Sequence, residues 1–198
     1  MTPAADDLAP GPDGRPRCRW AVSAPEYVAY HDDEWGRPVR GDQAIFERLS
    51  LEAFQSGLSW LTILRKRENF RAAFANFEPE AVARFGDDDV ERLMADAGIV
   101  RNRAKIEATI ANARATVALH EDGGTLRELI WEHRPAPRDA PPQTFADVPP
   151  FTGASKALAK ELKRRGFRFV GPTTLYALMQ ATGVVDDHLA GCPVRAEL

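Results

Sequence analysis

From residue 42 to residue 182 the apolar side chains recur at helical spacing, and capping residues cut that pattern into short blocks. This punctuation limits the chain to packed helices. Residues 42–56 carry Ile45, Phe46, Leu49 and Phe54 on one stripe, with Asp42 as the expected N-cap. Ser59 caps the next block, which places Trp60, Ile63, Leu64, Phe70 and Phe74 mostly on one face and runs to just before Pro79. Residues 87–97 begin with three acids and stop at Gly98, as the helix dipole prefers. A long helix is predicted over 101–122, closed by Gly123-Gly124, and a short one over 125–133. Two more are predicted over 155–165 and 172–182, with Ser155 and Pro172 at their starts and Gly166 and Gly183 at their ends. Strand-like alternation is nearly absent, so the predicted class is all-α.

The chain has 198 residues and a formal net charge of −3, from 26 Lys+Arg against 29 Asp+Glu. That length suits one domain. A hydrophobic share of 44% is enough to build a core. No apolar run approaches the ~18 residues of a membrane span. The acidic, Pro-rich start does not read as a signal peptide. A soluble protein of the cytoplasm is therefore expected, without a membrane partner. The charge balance excludes a global basic footprint, so nucleic-acid binding would rest on local patches. Residues 1–17 hold four prolines and two glycines and read as a flexible lead-in to a single domain over 18–198. Residues 134–150 hold six prolines and read as an extended connector between helical blocks.

Two cysteines, Cys18 and Cys192, lie near opposite ends of the chain, and the four histidines include His31 and His188. In a reducing compartment these thiols are inert, catalytic or metal-binding. His188 and Cys192 share a face if their stretch is helical. With Cys18 and His31 they form a Cys2His2 set, which has the composition of a closed tetrahedral zinc site. Spacing alone does not choose between this and buried thiols beside ordinary histidines.

The stretch 155–183 reads as two helices around a five-residue link, 167–171. Phe167, Phe169 and Val170 are expected to anchor the link. Gly166 and Gly171 would allow the backbone to approach a ligand, and the first turn of the second helix, with Thr173, offers free N–H groups to an anion. Six basic side chains over 156–168, among them Arg165, stand against a single acid, Glu161. Such a hairpin suits a sequence-blind clamp on a phosphate backbone; the plainer reading is an αα-hairpin with a solvated basic face. Five of the seven Trp and Tyr residues fall between 18 and 60: Trp20, Tyr27, Tyr30, Trp35 and Trp60. Such residues usually fill cores, but here they are mixed with acids. Glu52 sits in an otherwise apolar helix. Ring faces around one inward carboxylate suit a flat cationic ring or an extruded base; a surface position for Glu52 is the alternative.

These stretches together resemble the Tag family of 3-methyladenine DNA glycosylases, within the helix–hairpin–helix glycosylase superfamily. The resemblance is carried by CRW (18–20), YVAYHDDEWG (27–36), LEAFQSGLSWLTILRKRENFRAAF (51–74), DAGIVRNRAKIEATIANARA (96–115) and KALAKELKRRGFRFVGPTTLYALMQATGVVDDH (156–188). It implies a helical glycosylase fold with a DNA-binding hairpin at about 155–183. It implies one structural zinc ion on Cys18, His31, His188 and Cys192, tying the two ends of the chain together. Glu52 falls at the position that contacts the extruded base, and Trp60 at its stacking partner. Tyr27, Tyr30, Trp20 and Trp35 fall at positions that line or support the pocket. Gln55, Gly57 and Leu58 fall on the segment that probes the gap left in the duplex, with Leu58 as wedge. The implied activity is hydrolysis of the N-glycosidic bond of 3-methyladenine in double-stranded alkylated DNA, without strand cleavage. A monomer without an organic cofactor is expected. Two departures stand out. Phe54 replaces an expected Gln. Asp186 replaces an expected Asn, which leaves it either a catalytic carboxylate or a supporting, capping one. The competing class is a non-catalytic, zinc-stabilised DNA-binding hairpin module, which would not need Glu52 or the aromatic cluster.

Overall fold

The computed structural model describes residues 7–197, with side chains to Arg195. It is a helical assembly: α1 (Pro25–Asp33), α2 (Asp42–Gln55), α3 (Trp60–Ala73), α4 (Pro79–Ala83), α5 (Asp87–Ala95), α6 (Arg103–Glu121), α7 (Leu126–Glu132), α8 (Gly153–Arg164) and α9 (Pro172–Ala181). No described helix is long and apolar enough to cross a membrane.

α2 lies at the centre of the core. Ile45, Phe46, Leu49, Leu51 and Phe54 are fully buried, and they cover more than one face of the helix. An apolar surface that wide needs partners on several sides, and α3, α6, α7 and α9 supply them. Phe54 packs against Phe70 at 4.7 Å and Phe74 at 5.9 Å. The unexpected phenylalanine is thus a core residue. Val39 and Gly36 donate backbone hydrogen bonds to Thr182 and Gln180 at the end of α9. Gly183 (φ +72°) lies so close to this strap that any Cβ would sit 2.6 Å from the backbone at Arg37 and Pro38.

Four expectations are corrected. Residues 7–17 are not a loose lead-in: Leu8–Pro10 (β1) pairs antiparallel with Pro16–Cys18 (β2). Arg17 pins that ribbon, pairing with Asp13 at 2.6 Å and with Asp32 of α1 at 2.7 Å. Residues 1–6 of the predicted lead-in lie outside the described residues. The second predicted block, α3, stops at Ala73 and does not run on to Pro79. Ala75, Asn76 and Phe77 adopt φ of 48–56°, and Phe77 stacks on Phe74 at 5.5 Å. Burial of Phe77 offsets this left-handed turn. Thr152, not Ser155, caps α8, and its Oγ1 accepts from Ser155 N. Asp42 occupies the first turn of its own helix, after the N-cap Gly41, and caps α7: its carboxylate accepts from Leu126 N and Arg127 N at 2.7 and 2.9 Å. α1 and α4, for which the apolar pattern is weak, are further helices.

His120 near the end of α6 joins three helices, bonding Asp42 of α2 at 2.8 Å and facing Glu80 of α4 at 3.4 Å. Burial disfavours its charge, but Asp42 and Glu80 outweigh that and raise its pKa above the ordinary histidine value. The pairing therefore adds stability that is fully present below the unfolded pKa and is lost as pH rises through the raised value. Melting curves of wild type and His120→Gln should differ at pH 5.5 and converge by pH 9.

Candidate functional site

A cavity of about 370 Å³ opens where α1, α2, α3 and α9 meet the segment after α9. All five predicted aromatics line it, with Glu52 and Gln55. They arrive there because the first turn after β2 carries Trp20, α1 carries Tyr27 and Tyr30, the following turn carries Trp35, and α3 opens with Trp60. The rings pack edge-on: Trp20 on Tyr27 at 5.5 Å, Trp20 on Trp35 at 5.2 Å, and Tyr30 tilted on Trp60 at 5.3 Å. Edge-to-face contacts fix ring orientation and leave faces toward the space between them. Trp60 Nε1 is buried without an acceptor among the described residues.

Glu52 lies on the inner side of α2, only 6% exposed. Burial pushes its pKa up to about 8, with Arg48 one helical turn earlier pulling it down. Burial, followed by the proximity of Glu52, keeps the Tyr30 phenol well above its usual range, so it stays a neutral hydroxyl. The empty pocket therefore holds a carboxyl group that is mostly protonated at neutral pH and has no fixed partner among the described residues. A cation placed against it would restore the charged form.

The sequence reading missed Asp187 and Gln180. Asp187 lines the same cavity and is 1% exposed. Its Oδ2 accepts from Tyr176 Oη at 2.6 Å and Gln180 Nε2 at 2.8 Å, and Arg138 Nη2 stands 2.9 Å from Oδ1. Two adjacent acids after α9 were the available signal, and their contacts show that they face opposite sides. Asp186, read as a catalytic candidate, does not line the cavity. Its Oδ1 accepts from His188 Nδ1 and N, both at 3.0 Å, and its Oδ2 pairs with Arg195 at 2.5 Å. It is a positioning residue for His188.

The chain ends meet behind the aromatic wall. Donor atoms of Cys18, His31 and Cys192 lie within 4.8 Å of one another, with Cys192 Sγ 3.6 Å from His31 Nε2. His188 joins them: its ring centroid is 4.8 Å from that of His31, and its buried Nε2 has no partner among the described residues. The stretch 188–192 is a turn rather than a helix. Asp32 accepts from His31 Nδ1 at 2.7 Å, and Asp186 does the same for His188. Each carboxylate leaves Nε2 as the lone-pair nitrogen, the arrangement seen around metal-bound imidazoles. Cys192 is held below the usual thiol range, by the hydrogen bond from Cys18 and then by His31, while that shared bond and burial push Cys18 up. This donor set fits zinc.

At the end of α2, Gly57 (φ +82°) turns the chain and leaves Leu58 42% exposed. Lys105 of α6 braces this turn, donating to Phe54 O at 2.8 Å and Ser56 O at 2.5 Å. The α8–α9 link is braced too: Asn112 of α6 accepts from Arg168 N at 2.7 Å and donates to Arg168 O at 3.1 Å. Phe167 and Val170 anchor the link, but Phe169 is 41% exposed with φ +54°. Gly166 and Thr173 are exposed, Gly171 caps α9, and Arg165 pairs with Glu161 at 2.7 Å. Ala177 and Gln180, further along α9, line the cavity, so one helix runs from the link to the pocket.

A family model described as methyladenine glycosylase matches residues 20–196. The chain belongs to the methyladenine glycosylase family. This glycosylase is 48% identical over 179 residues to DNA-3-methyladenine glycosylase 1 of Escherichia coli (strain K12), covering 89% of this chain and 95% of the relative. It is 44% identical to DNA-3-methyladenine glycosylase of Haemophilus influenzae, covering 90% and 97%. Its structure matches a crystal structure of 3-methyladenine DNA glycosylase I with a TM-score of 0.86 at 46% identity, over 89% of this chain and 97% of that one. It also matches the Staphylococcus aureus enzyme, solved to explain 3-methyladenine recognition, with a TM-score of 0.85 at 36% identity, over 90% and 95%.

Buried Glu52 has a stability consequence of definite sign. Its folded pKa lies above its unfolded one, so its ionisation costs no stability below the unfolded value, and the destabilisation grows as pH rises from there to about 8 and is complete above it. Glu52→Gln should be more stable than wild type at pH 9, by on the order of a few kcal/mol, and the two should melt nearly together at pH 5.

Proposed function

We propose that this glycosylase hydrolyses the N-glycosidic bond of 3-methyladenine in double-stranded alkylated DNA. The observation that carries this is a buried carboxyl group without a fixed partner, inside a cage of five aromatic rings. Methylation at N3 makes the base cationic and weakens its bond to the sugar. The leaving group is already activated, so the site needs no strong general acid. It has to accept the extruded base, hold it, and admit water to C1′. Water adds at C1′ as the bond to the base breaks, giving free 3-methyladenine and an abasic site. Stacking on Trp60 supplies about 1–3 kcal/mol. Cation–π attraction from the surrounding rings favours the methylated base over neutral adenine. Glu52, ionised by the arriving cation, accepts from the base edge. The described residues that line the cavity include no lysine, which supports hydrolysis without strand cleavage.

The duplex is held elsewhere. Leu58, exposed on its glycine turn beside Gln55, suits a wedge for the vacated space. The 155–183 segment suits a helix–hairpin–helix clamp, with the backbone of Gly166–Thr173 facing phosphates and its basic side chains adding charge. Cys18, His31, His188 and Cys192 would hold one structural zinc ion. With four protein ligands no coordination position remains for water, so the ion would stabilise the fold rather than take part in hydrolysis. We propose a cytoplasmic monomer without an organic cofactor.

Purified protein incubated with methylated DNA should release 3-methyladenine, identified chromatographically, and leave abasic sites without strand breaks. Glu52→Ala and Trp60→Ala should each lower single-turnover excision at least tenfold. Asp186→Asn should excise at close to the wild-type rate, and wild-type excision by Glu52→Ala would remove the proposal. Metal analysis should find one zinc per chain. Chelation, or Cys192→Ser, should lower the melting temperature by several degrees before activity is lost.

A further inference from the structure

Arg48 lies partly buried on α2 one turn before Glu52, its side chain 12% exposed. Its Nη2 donates to Glu34 Oε2 at the end of α1. Glu34 is in turn gripped by Arg67 of α3, with Nη1 and Nη2 at 2.7 and 2.9 Å from its two oxygens. Arg48 Nη1 has no acceptor among the described residues and is shut off from water. The three groups carry two positive charges and one negative, a surplus of one cation in a partly buried setting. Glu52 is the acid beside that surplus, and no hydrogen bond from another described residue holds it. Tyr30 from α1 and Asp187 after α9 share the cavity with Glu52, and Glu34 and Arg67 act on Tyr30 beside it. Asp187 already has Arg138, Tyr176 and Gln180.

We propose that Arg48 tunes the charge of Glu52: from one helical turn away its unpartnered Nη1, steered by the Arg67–Glu34 pair, draws the buried carboxyl toward its ionised form, which the cationic base completes on binding. Arg48 is then a positioning residue that sets how readily Glu52 takes its charged form. This deepens the reading of Glu52 as the base-binding carboxylate and rests on it. Leaving a charge alone is costly in a buried site. The direction of Arg48's pull on Glu52, against burial, agrees.

The test follows the Glu52 carboxyl directly in substrate-free protein, by carbon-13 NMR of the glutamate side chains, with Glu52→Gln identifying its resonance. Arg48→Met should raise the pH of half-ionisation at least tenfold in proton concentration, and Arg48→Lys should restore most of it. Glu34→Gln frees Arg48 to turn toward Glu52 and should move the midpoint downward, a change opposite in sign that a loss of packing would not give. Excision should follow: below the midpoint, single-turnover release of 3-methyladenine from methylated DNA by Arg48→Met should fall about tenfold for every whole pH step by which the midpoint rises. A folded Arg48→Met protein with an unmoved Glu52 titration overturns the proposal. If that variant does not fold, an unmoved or raised midpoint in Glu34→Gln overturns it. A protein that shows these titration changes but releases no 3-methyladenine keeps the coupling of Arg48 to Glu52 and loses the substrate assignment, so the two failures are separable.

Discussion

A carboxyl group taken out of water governs the chemistry of this protein. Burying an unpaired carboxylate costs more than a folded domain can spare, so Glu52 resists its charged form and its pKa rises to about 8. Everything around it follows from that cost. The neighbours that could have fixed it with hydrogen bonds are aromatic rings, which keep water out and leave its oxygens toward the cavity. On the proposed reading, a cationic ring would relieve this condition and meet the ring faces at the same time, whereas neutral adenine of the same shape would gain the stacking and leave Glu52 protonated.

That environment depends on a wall that is not self-supporting. Trp20 and Trp35 reach the cavity from short turns rather than from within long helices, and they rest on the two histidines behind them. Trp35 lies 4.6 Å from the His188 ring, and Trp20 lies 5.3 Å from the His31 ring. The histidines are held by Asp32 and Asp186, and those by Arg17 and Arg195. Each layer fixes the orientation of the one in front. This explains why an aspartate next to the pocket wall, Asp186, has no atom in the pocket. It also explains why a β-ribbon belongs to a helical protein: pairing of Leu8–Pro10 with Pro16–Cys18 carries Cys18 to the far end of the chain.

The long helices were legible because each carries its own apolar stripe and its own caps, and these are local properties. Glu52, Trp60 and the other aromatics were legible for a related reason, since a carboxylate among apolar residues and rings among acids are anomalies within a few positions. What stayed hidden depends on partners distant in sequence. Asp42 reads as the cap of its own helix, yet it serves α7, more than eighty positions away. Asp187 looks like its neighbour Asp186 until the fold turns one to the cavity and the other to His188. The early ribbon carries no periodic signal, and the ion pairs of Arg17 hold it in place. Phe77 reads as the end of a helix, because the stacking that pulls it into a left-handed turn is tertiary. The exposure of Phe169 escaped for the opposite reason: its hydrophobicity argued for burial, but its backbone turns it outward.

α9 gives the remaining constraint. It begins at the Gly171 cap beside the basic hairpin and places Ala177 and Gln180 on the cavity wall, so hairpin and pocket are two positions on a single rigid rod. Ten residues of helix span about 15 Å. On the proposed reading, a backbone held at one end would fix the reach of a nucleotide rotated out toward the other. Gly183 locks the rod's far end against the 36–38 strap, with no room for a side chain, and that strap continues into α2, which carries Glu52. Lys105 and Asn112, both on α6, brace the wedge turn and the hairpin from one side. The hairpin, the Leu58 turn and the Glu52 carboxyl group are thus tied together through α6 and α9, and their spacing cannot drift independently.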